Sequence, residues 1–495
     1  MSDNQHLEHM EHDRGTWGSN FGFLMAAVGS AVGLGNIWGF PYKMGNKGGF
    51  AFLIIYLLLV IFVGVVVMLG ELTIGRKTGK GAVGAYAALS KKYKWVGYLG
   101  ILSAFTLLAF YNVLGGLVMR YMFGFLLQIL GVDGFSGAGM GFFGYILYDY
   151  SGMIFFHVLF IVCNVVIVMG GIQGGIEKFC TVAMPALFFM LLFVIIYVAF
   201  QPGAGEGYKF MLTPNFEPLS SFGGFIDVLK TAAGQMFFSL SLGMGAIISY
   251  GSYLDKKEDL QKNALIIPAC DTLIAVMAAC AILPACAAFN MEYAQGPGLL
   301  FNTMQNVFLS MGSFGNFVGF MFYFLVFIAA VTSSISLFEA IVTWRLDVGI
   351  EKKQKVSRTK IMSIAAVCSF IVGIPVALDA LGAADAVVKA PYLLLGMTPE
   401  QLAAGQVPMA IDCWLDFFDV ISEGIFMPLG ALIMAVLIGW KWKTRNLIVP
   451  ECEISGHKFW GYTFFDICFK FITPIGMILV LGGQIYDFFI KALIA

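Results

Sequence analysis

The sequence predicts an all-α polytopic membrane protein with eleven transmembrane helices, the first ten of which form a 5+5 inverted repeat. Hydrophobic residues make up 59% of the 495 residues, charged residues make up only 12%, and the mean hydropathy is +0.85. A soluble domain carries roughly 25% charged residues. Eleven apolar segments are long enough to span a bilayer, and glycine-rich stretches interrupt the first and the sixth of them.

A window of about 19 residues places these segments along the whole chain, near residues 20–42, 49–75, 96–128, 152–170, 178–200, 228–252, 263–289, 314–343, 360–378, 417–440 and 461–490. Lys and Arg cluster in alternate connections: residues 76–94 and 345–360 hold six each, whereas residues 129–152 hold none. Because basic loops remain in the cytoplasm, we expect the N-terminus inside, the C-terminus outside and the protein in the cell (inner) membrane.

The two interruptions indicate where function lies. The first span contains Gly29, Gly33 and Gly35, and residues 237–245 of the sixth read FFSLSLGMG. Lipid cannot satisfy exposed backbone groups, so a broken helix persists only where it lines a protein cavity. Close helix packing would explain either glycine cluster alone. It fits poorly with two clusters at corresponding positions of the first and the sixth span. Breaks at corresponding positions of two inverted halves predict a secondary transporter with its site at the repeat interface.

The predicted organisation is a cytoplasmic tail (1–14), a first repeat (15–200), an extracellular linker (201–226), a second repeat (227–445) and an eleventh span within 446–495. The net charge of −1 offers no basic surface for nucleic acid. The nine cysteines form no CxxC pair and are interpreted as small apolar residues. No HExxH or GxSxG motif is present. We therefore expect neither an enzyme nor an organic cofactor.

Three motifs make a family resemblance specific. The strings GSAVGLGNIWGFPY (29–42), FFSLSLGMG (237–245) and TSSISLFE (332–339) resemble spans one, six and eight of the neurotransmitter:sodium symporter family in its bacterial, eleven-span, leucine-transporter-like form. The resemblance covers nearly the whole chain. It implies the leucine-transporter-type fold, with helices 1 and 6 unwound at mid-membrane, and sodium-coupled import of an amino acid by alternating access. An amino-acid sensor or a channel-like protein on the same fold is the alternative.

The resemblance implies a substrate site between the two breaks. Its residues come from spans one, three, six and eight: Ala31, Gly33, Leu34, Gly35, Leu107, Tyr111, Phe238, Ser239, Ser241, Met244, Ser333 and Leu337. Helix-end amides and carbonyls can bind a carboxylate and an ammonium group without charged side chains. Because the site contains no charged side chain, we expect a substrate with an apolar side chain. Branched aliphatic, methionine and aromatic side chains all remain open, since Met244 can adapt to irregular shapes.

By resemblance, two sodium ions bind beside the substrate, because unwound backbone supplies the hard oxygen ligands that sodium prefers. The first site is implied at Ala31, Asn36, Ser239 and Asp271. The second is implied at Gly29, Val32, Ala329, Thr332 and Ser333. The expected partners are thus an amino acid, sodium and the lipid bilayer, with the protein a monomer or a weak dimer.

Asp271 also stands out on physical grounds. It lies about nine residues beyond Lys262, roughly 13 Å into the membrane at 1.5 Å per residue, and a carboxylate at that depth needs a cation. Chloride-dependent relatives carry Ser one turn further on, where this chain has Ala275. Our hypothesis is that the charge of Asp271 replaces chloride.

Two further acidic residues lie within spans. By resemblance, Glu71 braces the unwound part of span six. For Glu339 two interpretations stay open: a group that returns a proton, or a neutral carboxyl group hydrogen-bonded inside the bundle.

The gates show one departure from the family. By resemblance, Arg14 and Asp347 form the inner gate, flanked by Trp17 and Tyr253. In the outer gate the family places Arg before the Phe-Pro of span one, and this chain has Gly39 there.

Lys43 lies one turn beyond Gly39 on the same face, and we expect it to pair with Asp419 or Asp416 of span ten. Together with Asp412 and Glu423, these two acids form one helix stripe. The stripe is either a solvated helix end or an acidic vestibule that concentrates cations.

Overall fold

The computed structural model describes residues 15–293, 296, 298–354, 356–407, 411–454 and 456–487. The predicted tail at residues 1–14, which includes the predicted gate residue Arg14, lies outside the described residues. Within the described ranges the chain forms helices joined by loops and turns, without a β-strand.

The long apolar helices and the two pairs of half-helices are numbered here in chain order: α1 (Asn20–Ala31), α2 (Gly35–Asn46), α3 (Phe50–Thr78), α4 (Lys91–Ile129), α5 (Tyr150–Met169), α6 (Ile172–Ala199), α7 (Phe222–Ser239), α8 (Ala246–Gly251), α9 (Leu260–Ala288), α10 (Gly312–Glu351), α11 (Arg358–Leu378), α12 (Trp414–Trp442) and α13 (Tyr462–Ile485). Shorter helices lie in the connections: Ala82–Leu89, Gly139–Tyr148, Ala204–Leu212, Glu217–Leu219, Leu299–Thr303, Met304–Ser310, Pro391–Leu394, Pro399–Ala403 and Thr444–Glu453.

Ten of the predicted spans correspond directly to these elements. Nine helices in the described part of the chain are each long and apolar enough to cross a membrane, and α1 with α2, bent by 49°, forms a tenth. We assign α7 and α8 to the sixth predicted span, because residues 240–245 interrupt it. Helix α7 has 18 residues but is not among the helices apolar enough to span by themselves, and α8 has only 6 residues.

Both breaks have a local cause in the backbone. Helix α1 ends at Ala31, because the next residue, Val32, adopts an extended conformation (φ −76°, ψ 100°). Helix α2 begins three residues later, at Gly35. After α7, three residues have positive φ: Ser241 (54°), Gly243 (78°) and Gly245 (75°). A Cβ atom at Gly243 would lie 2.8 Å from the Cα of Met427 on α12, so only glycine fits there.

The irregular segment after α7 is held by helix α3. The Glu71 side chain, which is 2% exposed, accepts a hydrogen bond from the Gly243 amide at 2.6 Å. A buried backbone N–H group needs such a partner once the helix no longer supplies one. The contact agrees with the role that the family resemblance implies for Glu71, which is to brace the unwound part of span six.

The most extensive helix packing is that of α4 against α10, with α5 and α11 alongside. Within this pair, Tyr121 and Phe125 of α4 stack on Tyr323 of α10, with ring centroids 5.1 and 5.5 Å away. Such aromatic contacts stabilise beyond the area they bury. The broken helices lie beside this pair, where α1 contacts α6, α9 and α10.

Candidate functional site

The two breaks border a central cavity. It is small in this conformation and is lined by nine of the twelve residues predicted for substrate binding: Ala31, Gly33, Gly35, Leu107, Tyr111, Phe238, Ser241, Ser333 and Leu337. Of the other three, Leu34 and Ser239 make hydrogen bonds at its edge, and Met244 is fully buried outside its lining. None of the described residues that line the cavity has a charged side chain.

Two glycines of the first break are required by close contacts across this cavity. A Cβ atom at Gly33 would lie 2.5 Å from the Tyr111 hydroxyl and would also collide with Ser333. At Gly35 it would lie 2.7 Å from the ring of Phe238. Contacts under about 3 Å are too short for carbon, so both positions exclude any larger side chain.

Polar groups of the cavity come mainly from the backbone and from hydroxyl groups. The Leu34 amide donates to the Tyr111 hydroxyl at 3.1 Å, and the Ser241 hydroxyl donates to the Ser30 carbonyl at 2.8 Å. In this structure the Gly33 and Leu34 amides donate to Asn36 and Tyr111, and the Ser30 carbonyl accepts from Ser241 and Ser333. Backbone donors at residues 33–34 and a backbone acceptor at Ser30 thus lie at the border of the cavity. A solute with one anionic and one cationic group matches this arrangement.

Asp271 lies beside the first break and is fully buried. Its carboxylate accepts hydrogen bonds from Asn36 Nδ2 at 2.7 Å, from Ser239 Oγ at 2.9 and 3.0 Å, and from the Tyr56 hydroxyl at 3.4 Å. All these donors are neutral, so the charge of Asp271 is not matched by a cationic side chain among them. Asn36 presents its Nδ2 atom to Asp271, while its Oδ1 atom accepts a hydrogen bond from the Gly33 amide at 3.0 Å. The structure thus brings Asn36, Ser239 and Asp271, three of the residues predicted for the first sodium site, into direct contact.

A second set of oxygens lies between α1 and α10. Thr332 Oγ1 is 3.4 Å from the Val32 carbonyl and 3.0 Å from the Ala329 carbonyl, and Ser333 Oγ is 3.3 Å from the Gly29 carbonyl. All five residues predicted for the second sodium site are thus brought together. No carboxylate belongs to this set, so its ligands carry no formal charge.

On the side of the predicted inner gate, buried polar contacts join several helices. Trp17 Nε1 donates to the Tyr250 carbonyl at 3.1 Å, and the Tyr253 hydroxyl donates to Glu339 Oε1 at 2.9 Å. Asp347 Oδ2 accepts a hydrogen bond from the Gly81 amide at 2.7 Å. The predicted pairing of Asp347 with Arg14 involves a residue outside the described ranges.

Glu339 has a partner that the sequence reading missed. Arg358, the first residue of α11, forms an ion pair with the Glu339 carboxylate, and its Nε atom donates to the Val168 carbonyl at 2.9 Å. The sequence analysis considered no cationic partner for Glu339, and the structure supplies one. Arg358 had been counted only among the basic residues that indicate a cytoplasmic loop.

Glu177 was also missed, and it holds the start of α1. Its carboxylate accepts hydrogen bonds from the Gly18 amide at 2.7 Å and from Ser19 Oγ at 3.1 Å. Gly22 faces the same side chain so closely that no Cβ atom would fit. The glycine at position 22 and the acid near the start of α6 were the available signals, but neither indicates its distant partner.

On the outer side the expected partner of Lys43 is corrected. Its ammonium group forms an ion pair with Glu423 instead of Asp419 or Asp416. Residues 420–426 of α12 form a wide helical turn with five-residue hydrogen-bond spacing, and this shifts Glu423 around the axis relative to a regular helix.

The acidic stripe is not a solvated helix end. Glu423 is 5% exposed, and Asp412, Asp416 and Asp419 are half-buried. Burial raises the pKa of Asp412, which lies before α12, above its ordinary value. It likewise raises the pKa of Asp379, after α11, to about 6, although the Trp414 and Leu381 amides donate to that carboxylate and oppose the shift.

Known proteins that are similar to this chain have the same arrangement of helices. The family model of the sodium:neurotransmitter symporter family, which describes the sequences of its members, matches residues 14–133 and 139–384 of this chain. The chain belongs to this family. A crystal structure of MhsT in complex with L-phenylalanine has a TM-score of 0.81 and 33% sequence identity, covering 95% of this chain and 100% of that one. The match confirms the leucine-transporter-type, all-helical fold predicted from the sequence.

Curated relatives of the family are similar over nearly their whole length. The sodium-dependent transporter YhdH of Bacillus subtilis is 33% identical over 470 residues, which is 94% of this chain and 96% of the relative. A sodium-dependent transporter of Haemophilus influenzae is 32% identical over 490 residues, 96% of this chain and 98% of the relative. The protein is thus a multi-pass, sodium-dependent transporter of a small molecule, in a family of transporters and not of enzymes.

Proposed function

We propose that this transporter imports an amino acid with an apolar side chain, together with sodium, by alternating access. The observation that carries the proposal is the central cavity between the two broken helices. It combines donors from residues 33–35, acceptors near Ser30 and an uncharged wall that includes Leu107 and Leu337. An α-amino acid satisfies both polar groups, and an apolar side chain suits the wall. MhsT, which shares the fold, was crystallised with L-phenylalanine.

Two sodium ions are part of the proposal. One would be held by the Ala31 carbonyl, Asn36, Ser239 and Asp271, next to the carboxylate of the substrate. The second would be held by the oxygens of Gly29, Val32, Ala329, Thr332 and Ser333. Buried oxygens with neutral hydrogen-bond partners support the first site, and converging carbonyl and hydroxyl groups support the second.

Chloride independence is proposed from Asp271 and Ala275. Both side chains are fully buried on α9, one turn apart, and the carboxylate supplies a fixed negative charge there. We also propose a cytoplasmic N-terminus, the division into repeats at residues 15–200 and 227–445, and a monomer or weak dimer. The outer gate of this proposal is the contact of Lys43 with α12, and the inner gate includes Trp17, Tyr253 and Asp347.

The test is uptake by purified protein reconstituted in liposomes. An inward sodium gradient should drive accumulation of radiolabelled L-phenylalanine or L-leucine above equilibrium, and an equal potassium gradient should not. Unlabelled amino acids added in turn as competitors identify the substrate. Facilitated equilibration without accumulation would indicate a channel, and sodium-dependent binding without uptake would indicate a sensor.

Chloride is tested in the same vesicles. Replacement of chloride by gluconate on both sides should leave the initial rate of sodium-driven uptake unchanged. Loss of uptake in gluconate would refute the proposal that the charge of Asp271 replaces chloride. It would not contradict the coupling of transport to sodium.

A further inference from the structure

Basic side chains from two distant parts of the chain meet where α4 begins and α12 ends. The Lys441 ammonium group donates a hydrogen bond to the Tyr93 hydroxyl at 3.1 Å and lies 4.5 Å from the centroid of the same ring. The ammonium group of Lys92 lies 5.9 Å from that centroid. We define the basic patch as the six cationic residues of these two segments: Lys91, Lys92, Lys94, Lys441, Lys443 and Arg445.

The basic patch has no acidic partner among the described residues. None of its six side chains forms a salt bridge there, and five of the six are exposed. The sequence has no Asp or Glu from residue 72 to residue 132 or from residue 424 to residue 450. The next acid, Glu451, is buried and pairs with Arg76. The protein itself therefore does not offset the repulsion between Lys92 and Lys441, whereas an external anion would.

Exposed aromatic side chains place the basic patch at the border of the lipid-facing surface. Trp440, directly before Lys441, is 56% exposed, and its ring lies 5.5 Å from that of Phe471 on α13. Trp95, directly after Lys94, is 51% exposed. Tryptophan side chains concentrate where the hydrocarbon of a bilayer meets the headgroups. The ammonium groups beside them thus lie at the level of the lipid phosphates, which favours a lipid over a soluble partner.

Topology alone does not account for this arrangement. The positive-inside rule requires basic residues in a cytoplasmic connection, but it does not require two connections to converge. Tyr93 and Lys441 are 348 residues apart in the sequence. The ring of Trp442, 6.3 Å from that of Tyr93, adds a second contact between the two segments. Two ammonium groups are thereby held on one tyrosine ring, where the oxygens of a single phosphate group can accept from both.

We propose that the basic patch binds the headgroup of an anionic phospholipid, with the phosphate between Lys92 and Lys441. The acyl chains lie on the exposed apolar surface beside Trp440 and Trp95. The bound headgroup joins the start of α4 to the end of α12, and in the topology proposed above it belongs to the cytoplasmic leaflet. The inference goes beyond the proposed function, because it holds whichever solute is transported.

The experiment places the purified full-length protein in phosphatidylcholine vesicles that contain phosphatidylglycerol, and it measures tryptophan fluorescence. Bromine atoms on an acyl chain quench a tryptophan that the chain contacts, so bromination of one lipid at a time shows which lipid lies beside Trp440, Trp442 and Trp95. Brominated phosphatidylglycerol should quench wild-type fluorescence more than brominated phosphatidylcholine at an equal mole fraction. Equal quenching by the two lipids would overturn the proposal.

Two double variants separate a site from general attraction by charge. Each lysine near an anionic surface contributes about fivefold to affinity, so Lys92→Gln with Lys441→Gln should lower the preference for phosphatidylglycerol about tenfold or more. Lys256→Gln with Lys257→Gln is the matched control, since both lysines are exposed but lie between Asp255 and Glu258. This control should keep the wild-type preference. An unchanged preference in the first variant, or an equal loss in both, would contradict a site at the basic patch.

A second measurement uses the protein in detergent, where Tm without lipid also shows that each variant is folded. Phosphatidylglycerol should raise the Tm of wild type and of the control more than phosphatidylcholine does, because a ligand of the native state stabilises it. Lys92→Gln with Lys441→Gln should lose this difference. A rise caused by glycerol 3-phosphate, or by polyglutamate as a model of an acidic protein, without a rise caused by phosphatidylglycerol would assign the basic patch to a soluble anion and overturn the proposal.

Discussion

Replacing Asp271 by asparagine should weaken sodium binding while leaving the fold intact. The side chain keeps its shape, and one of its oxygens can still accept from Asn36 or Ser239. A unit charge about 4 Å from an ion contributes about 4 kcal/mol at an effective dielectric constant of 20. Part of this is offset, because the variant no longer buries an uncompensated carboxylate in the absence of sodium. We therefore expect a net loss of about 2 kcal/mol, or roughly 30-fold in the Kd for sodium.

The assay is the rise in Tm of the purified protein as sodium chloride replaces potassium chloride at constant ionic strength, because a ligand of the native state stabilises it. This readout needs no knowledge of the substrate. Asp466→Asn is the control, since Asp466 lies on α13 and pairs only with Lys470, at 2.6 Å. A sodium half-saturation within about threefold of wild type, about 0.7 kcal/mol, would refute a role for Asp271 in sodium binding.

Three further changes test other parts of the site. Gly33→Ala should abolish sodium-driven uptake, because its methyl group would collide with Tyr111 and Ser333, whereas Gly174→Ala, with nothing within 4 Å, should transport normally. Tyr111→Phe should raise the KM for uptake about tenfold or more, since the hydroxyl group would bind the substrate carboxylate and such bonds contribute about 1.5–3 kcal/mol; an unchanged KM would exclude that role. Glu339→Gln should destabilise the protein by about 3–5 kcal/mol by leaving Arg358 buried without its partner, and Arg358→Gln in the same chain should restore part of the lost Tm.

The sequence located the helices and the breaks because these depend on local properties. The predicted segment 49–75 corresponds to Phe50–Thr78, and the segment 360–378 corresponds to Arg358–Leu378. Glycines at 33, 35, 243 and 245 mark the breaks because the conformation and the close contacts there exclude side chains. The residues that line the cavity were predicted through the family resemblance of the motifs that contain these breaks, and nine of those twelve residues border the cavity.

The distant partners of charged residues could not be predicted in the same way. The partner of Lys43 depends on the wide turn at residues 420–426, which changes the face on which Glu423 lies, and nothing in the local sequence indicates that turn. Arg358 begins a helix beside a basic loop, a position that usually indicates only topology. Its contact with Glu339 requires the ends of α10 and α11 to meet, which is a property of the tertiary fold.

The positions of these charges have a consequence for coupling in the proposed cycle. Lys43 pairs with Glu423 at the proposed outer gate, and Arg358 pairs with Glu339 on the side of the proposed inner gate. The hydrogen-bond donors to the central carboxylate of Asp271 within the described residues are neutral. Paired charges stabilise a closed end without any transported ion. A buried carboxylate without a cation is costly, so helices can close around Asp271 at low cost only when sodium is bound. This difference makes closure around the site dependent on sodium, which is the condition for symport.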